Sequence, residues 1–231
     1  MNQFFFISPL ILQKAIWNAT RAVLFLFCRF EVRGLENLHV SNKIRPYIIA
    51  KRGMIFAANH SSELDAIVVP ASLPFFSPLL PIFYVSRPRE FYKTSGWRQL
   101  LYGGFFFKMW GAHAAISGSR DYEQSLAAHI KILEKGGSVL IFPEGRKTRN
   151  GNMGTEVHGG VAYLAHCTGC PVVPVHISGN FNMTFGDFFL RRRHIVVVFG
   201  TPILLSENNQ KEYKKEAGII LSEIASLRQK N

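Results

Sequence analysis

The amino-acid sequence predicts an α/β fold in which a central mixed sheet is flanked by helices and preceded by an N-terminal helical segment. Two observations carry this. Short apolar runs recur at Met54 to Ala58, Ile82 to Val85, Ser138 to Phe142, Val172 to Ile177 and Ile195 to Phe199, each the length of a buried strand. Segments with helical periodicity alternate with them, and that alternation is the signature of helices packed on the faces of a sheet. The 231 residues suffice for one sizeable core, with neither a repeat nor a linker-like stretch, so residues 31–231 read as one domain behind an N-terminal unit of residues 1–30.

Composition narrows the class. Hydrophobic residues make up 48% and phenylalanine numbers 20, which excludes a disordered chain and suggests a nonaqueous neighbour. Lys and Arg total 27 against 15 Asp and Glu, a net charge of +12, so an anionic partner is expected. Lipid headgroups, phosphorylated substrates, an acidic carrier protein and nucleic acid all qualify. Cys28, Cys167 and Cys170 are too few for a disulfide framework and point to a reducing compartment. The CxxC of Cys167 and Cys170 lacks a second ligand pair at zinc spacing and reads as packing cysteines beside a helix end.

The elements follow in order. Met1 to Phe30 is interrupted by Lys14 and Arg21, so no run of about 20 uncharged residues exists for a simple span. On a helix Lys14, Asn18 and Arg21 share one face while Phe, Leu, Ile, Val and Trp fill the rest, the pattern of an interfacial helix with a thin basic stripe. Pro9 marks a helix start or a break between two helices. Glu31 to Leu38 reads as a short strand and turn at Gly34, and Tyr47 to Ala50 as a further apolar run. Between Ala66 and Ser86 there is no charge, but Pro70, Pro74, Pro78 and Pro81 exclude one continuous helix. A short helix, a proline-rich loop and the strand from Ile82 are expected instead. Arg87, Arg89 and Lys93 then form a basic cluster at a strand's C-terminal end, where open α/β sheets bind ligands. The aromatic stretch from Trp97 to Trp110 suits a core helix or the wall of an acyl pocket. Asp121 to Lys135 has Leu126, Ile130 and Leu133 at helical spacing and a stop at Gly136 and Gly137. Gly160 to Cys167 is a second such helix, stopped by Gly169. A Phe- and Asn-rich loop leads to Arg191, Arg192 and Arg193, read as a solvated basic turn, a membrane-surface anchor or nucleic-acid contacts. Tyr213, Ala217, Ile220, Ile224 and Leu227 place one face of a last helix on the domain.

Two stretches carry chemistry. The first is NHSSELD, Asn59 to Asp65, lying between two apolar runs. If the preceding run is a strand and a helix opens after Ser62, the turn folds Asp65 back towards His60. A carboxylate accepting the Nδ1 proton fixes the tautomer and leaves Nε2 as proton acceptor. The same residues also suit a purely structural role, with Ser62 as a helix N-cap. The second stretch is Pro143 to Arg149, where Glu144, Gly145, Arg146, Lys147 and Arg149 follow a core strand. Cations beside a glycine that permits close backbone approach suit a phosphate.

In order, NHSSELD, GAHAAISGSRDYE, FPEGRKTRNG and PVVPVHI resemble the four blocks of the glycerolipid acyltransferase family, which includes 1-acylglycerol-3-phosphate acyltransferase. The resemblance spans roughly Val32 to Pro202. It implies His60 as general base, Asp65 as its partner, and the third block as the site of the acceptor's phosphate. Asn59, Ser61, Arg87 and Arg120 join the substrate-binding set. Family members of this kind carry an N-terminal helical pair dipping into the membrane, which Met1 to Phe30 would match. Arg120 is the only cation near the second block, Arg146-Lys147 stand where Thr-Arg is usual, and His158 stands where many members have lysine.

The resemblance therefore implies a membrane-associated O-acyltransferase that moves a fatty acyl group from acyl-CoA or acyl carrier protein to a lysophospholipid hydroxyl. The expected acceptor is 1-acyl-sn-glycerol-3-phosphate, without metal or cofactor, on the cytoplasmic face of the inner membrane and with no nucleic acid as partner. A thioester leaves as a thiolate of pKa about 8.5, whereas an alcohol needs a base, so one His–Asp pair suffices. No G-x-S-x-G elbow is present to suggest a covalent serine intermediate. An amino-acid or sugar lysolipid as acceptor, and a non-catalytic basic protein that binds membrane or nucleic acid, are the alternative readings.

Overall fold

The computed structural model describes residues 4–39, 53–88, 108–115, 121–205 and 212–230. The expected run Tyr47 to Ala50, the cations Arg89 and Lys93, the aromatic stretch before residue 108 and Arg120 lie outside the described residues.

Among the described residues seven strands form one sheet: β1 (Arg29–Arg33), β2 (Ile55–Ala58), β3 (Ile82–Ser86), β4 (Ala112–Ala114), β5 (Ser138–Ile141), β6 (Val172–Ser178) and β7 (His194–Phe199). Their order is β1-β7-β6-β2-β5-β3-β4. Neighbours are parallel except β6 and β7, which run antiparallel, so the sheet is mixed as the sequence predicts. The valine- and isoleucine-rich strands are fully buried at their centres, the pattern of a sheet covered on both faces.

Alternation along each strand divides the core between two faces. Phe56, Ala58, Leu140, Val173, Val175, Ile195 and Val197 point to a face covered by α1 (Phe4–Phe27) and α3 (Asp65–Ser72). Ile55, Ala57, Val139, Ile141 and Val172 point to the other, against α4 (Tyr122–Glu134), α5 (Gly160–Thr168) and α7 (Tyr213–Ser226). Two short helices, α2 (Glu36–His39) and α6 (Phe185–Phe189), lie in connections. Helix α4 starts where Asp121 accepts from Gln124 N and α5 ends at Gly169 in the left-handed region, so both termini carry the caps their sequences suggest.

The N-terminal segment differs from its sequence reading in two ways. It is a single helix, α1, with Pro9 inside its second turn, where the missing donor does not break it. And three of its polar side chains, Gln13, Trp17 and Arg21, face the protein. Gln13 Nε2 donates to Ile82 O at 2.7 Å while its Oε1 accepts from Ile82 N at 2.9 Å; Trp17 Nε1 donates to Leu73 O at 3.0 Å; Arg21 donates to Ala71 O at 3.2 Å and stacks over the Trp17 ring. These groups bond to backbone groups at the end of α3 and the start of β3. The outward side is apolar, with Phe4, Ile7, Ile11, Val23, Phe25 and Leu26 exposed.

Three smaller differences stand beside these. The Phe- and Asn-rich connection after β6 contains α6, with a capping box in which Thr184 and Asp187 bond reciprocally. Cys28 and Cys170 are buried as expected, but Cys167 is exposed. Strand β4, an edge strand of three residues, is too short for periodicity to reveal.

Candidate active site

Strands β2, β3, β5 and β6 run in the same direction, so the segments that follow them meet at one pole of the sheet. His60 follows β2, Arg87 follows β3, Phe142 to Arg149 follow β5, and Asn180 follows β6. The chemistry-bearing stretches are thus brought together by topology although up to 120 residues separate them.

Asn59 extends the sheet by one step. Its Nδ2 donates to Ile177 O at 2.9 Å and its Oδ1 accepts from Ile177 N at 2.7 Å, clamping the end of β2 to β6. The next residue leaves the sheet with its direction set. His60 Nδ1 lies 2.8 Å from Asp65 Oδ2, and its ring stacks on Phe142 at 4.0 Å between centroids and 12° between planes. The imidazole is held on one edge and one face, and 20% of its side chain remains accessible.

Asp65 is fully buried and both its oxygens accept hydrogen bonds. Oδ2 also accepts from Ser61 N at 2.7 Å and Ser62 N at 2.9 Å, and Oδ1 accepts from Asn180 Nδ2 at 2.6 Å. Three donors besides the histidine offset the desolvation of this carboxylate, which buried without them would be costly. They also correct the sequence reading of the helix start: the N-cap position falls on Leu64, whose side chain cannot cap, and the turn is tied chiefly by Asp65, with Ser62 Oγ accepting only from Leu64 N at 3.3 Å. Asn180, 1% exposed, in turn accepts from Ser61 Oγ at 2.8 Å. Neither Asn180 nor Phe142 is legible as a site residue from local spacing, and the block PVVPVHI stops three residues short of Asn180.

The loop after β5 is strapped to the His60 main chain. Glu144 Oε1 accepts from His60 N at 3.1 Å, Oε2 accepts from Gly154 N at 2.6 Å, and Thr148 N donates to His60 O at 2.8 Å. Glu144, 3% exposed, therefore organises this loop with its carboxylate turned inward. Arg87 Nη2 donates to Gly145 O at 2.6 Å. Gly145 has a φ of +66°, and a Cβ there would lie 2.6 Å from Cδ2 of His158, so both conformation and space call for glycine. Arg146 pairs with Glu156 and Lys147 with Glu63, in exposed ion pairs worth about 1 kcal/mol or less. An incoming phosphate can displace such partners. Arg149 is exposed on the same loop. Among the described residues no group of three or more His, Cys, Asp or Glu is placed to hold a metal ion.

Comparison with known proteins bears on this arrangement. The model of a family described as Acyltransferase matches residues 29–178. Over 173 residues the chain is 31% identical to the 1-acyl-sn-glycerol-3-phosphate acyltransferase of Pseudomonas aeruginosa, a match covering 72% of this chain and 55% of that protein. Over 129 residues it is 29% identical to the lyso-ornithine lipid O-acyltransferase of the same organism, covering 55% of this chain and 44% of that one. The chain thus spans about half the length of these curated relatives. Its fold resembles the crystal structure of the 1-acyl-sn-glycerophosphate (LPA) acyltransferase PlsC from Thermotoga maritima, with a TM-score of 0.58 at 21% identity over 95% of this chain and 79% of that one.

Proposed function

Because this chain belongs to the Acyltransferase family, we propose that it transfers a fatty acyl group from a thioester to the hydroxyl of a lysophospholipid at a membrane surface. The observation that carries the reading is the 2.8 Å contact between His60 Nδ1 and Asp65 Oδ2, which leaves Nε2 as the ring nitrogen available for a proton. In the proposed reaction Nε2 takes the proton of the acceptor hydroxyl as its oxygen attacks the thioester carbonyl. Asp65 holds the productive tautomer and stabilises the imidazolium. The tetrahedral intermediate collapses by breaking the C–S bond, and the thiolate leaves with the proton returned through His60 or solvent.

Asn59, Ser61, Arg87, Gly145, Arg146, Lys147 and Arg149 line or support the pole where the acceptor's head would sit, and Glu144 shapes the loop. A 1-acyl-sn-glycerol-3-phosphate acceptor is supported by the relative of that specificity and by the cations after β5. An amino-acid lysolipid is the second reading, supported by the lyso-ornithine lipid O-acyltransferase relative and by the pairing of Arg146 and Lys147 with carboxylates. Residues 1–30 serve as the membrane-docking unit of the 31–231 acyltransferase domain. Helix α1 contains a segment, Ile7–Phe27, long and apolar enough to cross a membrane, but its fastening at Gln13, Trp17 and Arg21 favours a helix lying in the interface against the domain.

The test is to supply purified protein with acyl-CoA or acyl carrier protein thioester and either lysolipid, measuring free thiol and identifying the acylated product. Thiol release that depends on one acceptor assigns the substrate. No acceptor-dependent release with either lysolipid and either donor would overturn the proposal.

A further inference from the structure

The connection between β6 and β7 does two things at once. Its first turn supplies Asn180 to the His60–Asp65 pair, and a few residues later it builds α6, which exposes Phe185 by 85%, Phe189 by 62% and Leu190 by 62%. These side chains are held in place. Thr184 and Asp187 cap the helix reciprocally, and Phe188, the one inward-facing phenylalanine of the turn, packs on the core and stacks with Phe27 at 5.1 Å. A rigid turn that displays three large apolar groups to solvent has a partner to be explained.

Two observations identify the partner. The first is continuity: Phe27 also meets Phe189 edge-on at 5.4 Å, and Arg191 donates to Phe25 O at 3.3 Å, so α6 abuts the end of α1 where Phe25 and Leu26 are exposed by 68% and 59%. The second is charge. Residues 184–193 hold three arginines and one carboxylate, and Asp187 is already bonded to Thr184 and Arg193. Arg191, in the left-handed region where glycine is the usual residue, and Arg192 are both exposed beside the apolar groups. Apolar side chains rimmed by arginine match an anionic bilayer, whose acyl region takes the first and whose headgroups take the second.

We infer that α6 with Arg191 and Arg192 is a second bilayer contact, separate in sequence from α1 and continuous with it in space, that seats the catalytic pole against anionic lipid. This rests on the membrane-surface reading of α1. Because the same connection carries Asn180, the contact sets the His60 pair close to the interface from which a lysolipid would be drawn.

The experiment compares partitioning of the full chain into vesicles of phosphatidylcholine, alone or mixed with phosphatidylglycerol, for three variants whose altered residues are exposed and whose folding is checked by thermal unfolding. F185S/F189S/L190S is expected to partition about tenfold more weakly into both vesicle types. R192E is expected to lower the preference for the anionic vesicles by about fivefold or more and to leave neutral vesicles unaffected. I7S/I11S reports on α1 alone. Wild-type partitioning of F185S/F189S/L190S together with weakened I7S/I11S would overturn the second contact and spare the α1 reading, whereas unchanged partitioning of both would overturn both. Unchanged vesicle binding by F185S/F189S/L190S with lost binding of an acyl carrier protein would assign the surface to that protein and equally overturn the inference.

Discussion

Asn180 donates its amide proton to Asp65 Oδ1 at 2.6 Å from the segment after the neighbouring strand β6, so the carboxylate beside His60 is aimed by β6 as well as by its own turn. The four acceptor contacts on Asp65 make the pair a small rigid assembly rather than two adjacent side chains. Its rigidity is what the proposed base requires, since proton transfer depends on geometry before anything else.

Replacing Asn180 with Ala leaves Oδ1 without its donor and frees the carboxylate to rotate. The expected result is a roughly tenfold fall in kcat with little change in KM for the lysolipid, because the lost interaction positions the base and does not touch substrate. Steady-state kinetics on both substrates measure the split.

His60→Ala and Asp65→Ala should separate activity from stability. The first removes a one-fifth-exposed ring and is expected to cost about 10² to 10⁴ in rate with little change in unfolding. The second is expected to cost similar activity and also about 3 kcal/mol of stability, since Ser61 N, Ser62 N and Asn180 Nδ2 lose their acceptor in a buried site. Urea titration of the two variants makes the comparison.

Acid should weaken the fold through two buried histidines. Burial lowers His129 to about 4, with the nearby His113 adding to the effect, and lowers His176 to about 4, with Arg228 contributing. Nδ1 of His176 has no hydrogen-bond partner among the described residues, as suits a neutral ring. Both groups bind protons more readily when unfolded, so the stability they permit is fully present above about pH 6.5 and is lost as pH falls towards about 4. Chemical denaturation at a series of pH values should show that decline, and His176→Gln should reduce its slope.

How much of this was legible in the chain depended on how local each contact is. His60 and Asp65 are five residues apart and could be paired by reading a turn. Asn180 and Phe142 reach the same ring from other strands, and only the order of the sheet brings them there. The antiparallel step between β6 and β7 was not legible because a run such as Ile195 to Phe199 reads the same in either direction. Periodicity places Lys14, Asn18 and Arg21 on one face of α1 without saying what that face meets. Here Arg21 meets the carbonyl of Ala71, and the helix sits with its apolar side out. Glu144 was identified as important, but its partners, two backbone amides, leave no trace in side-chain patterning.

Gln13, Trp17 and Arg21 recur every four residues, and each addresses a particular carbonyl of the domain. They work as the teeth of a key: the spacing fixes both the roll of α1 about its axis and how far it slides along the domain. One residue inserted between two of these teeth would turn the helix beyond it by about 100° and lift its lipid-facing side chains out of register with the rest. If the proposed membrane docking holds, the tilt of the protein on a bilayer is thereby written into the spacing of three polar side chains, and an arbitrary amphipathic helix of equal hydrophobicity would not reproduce it.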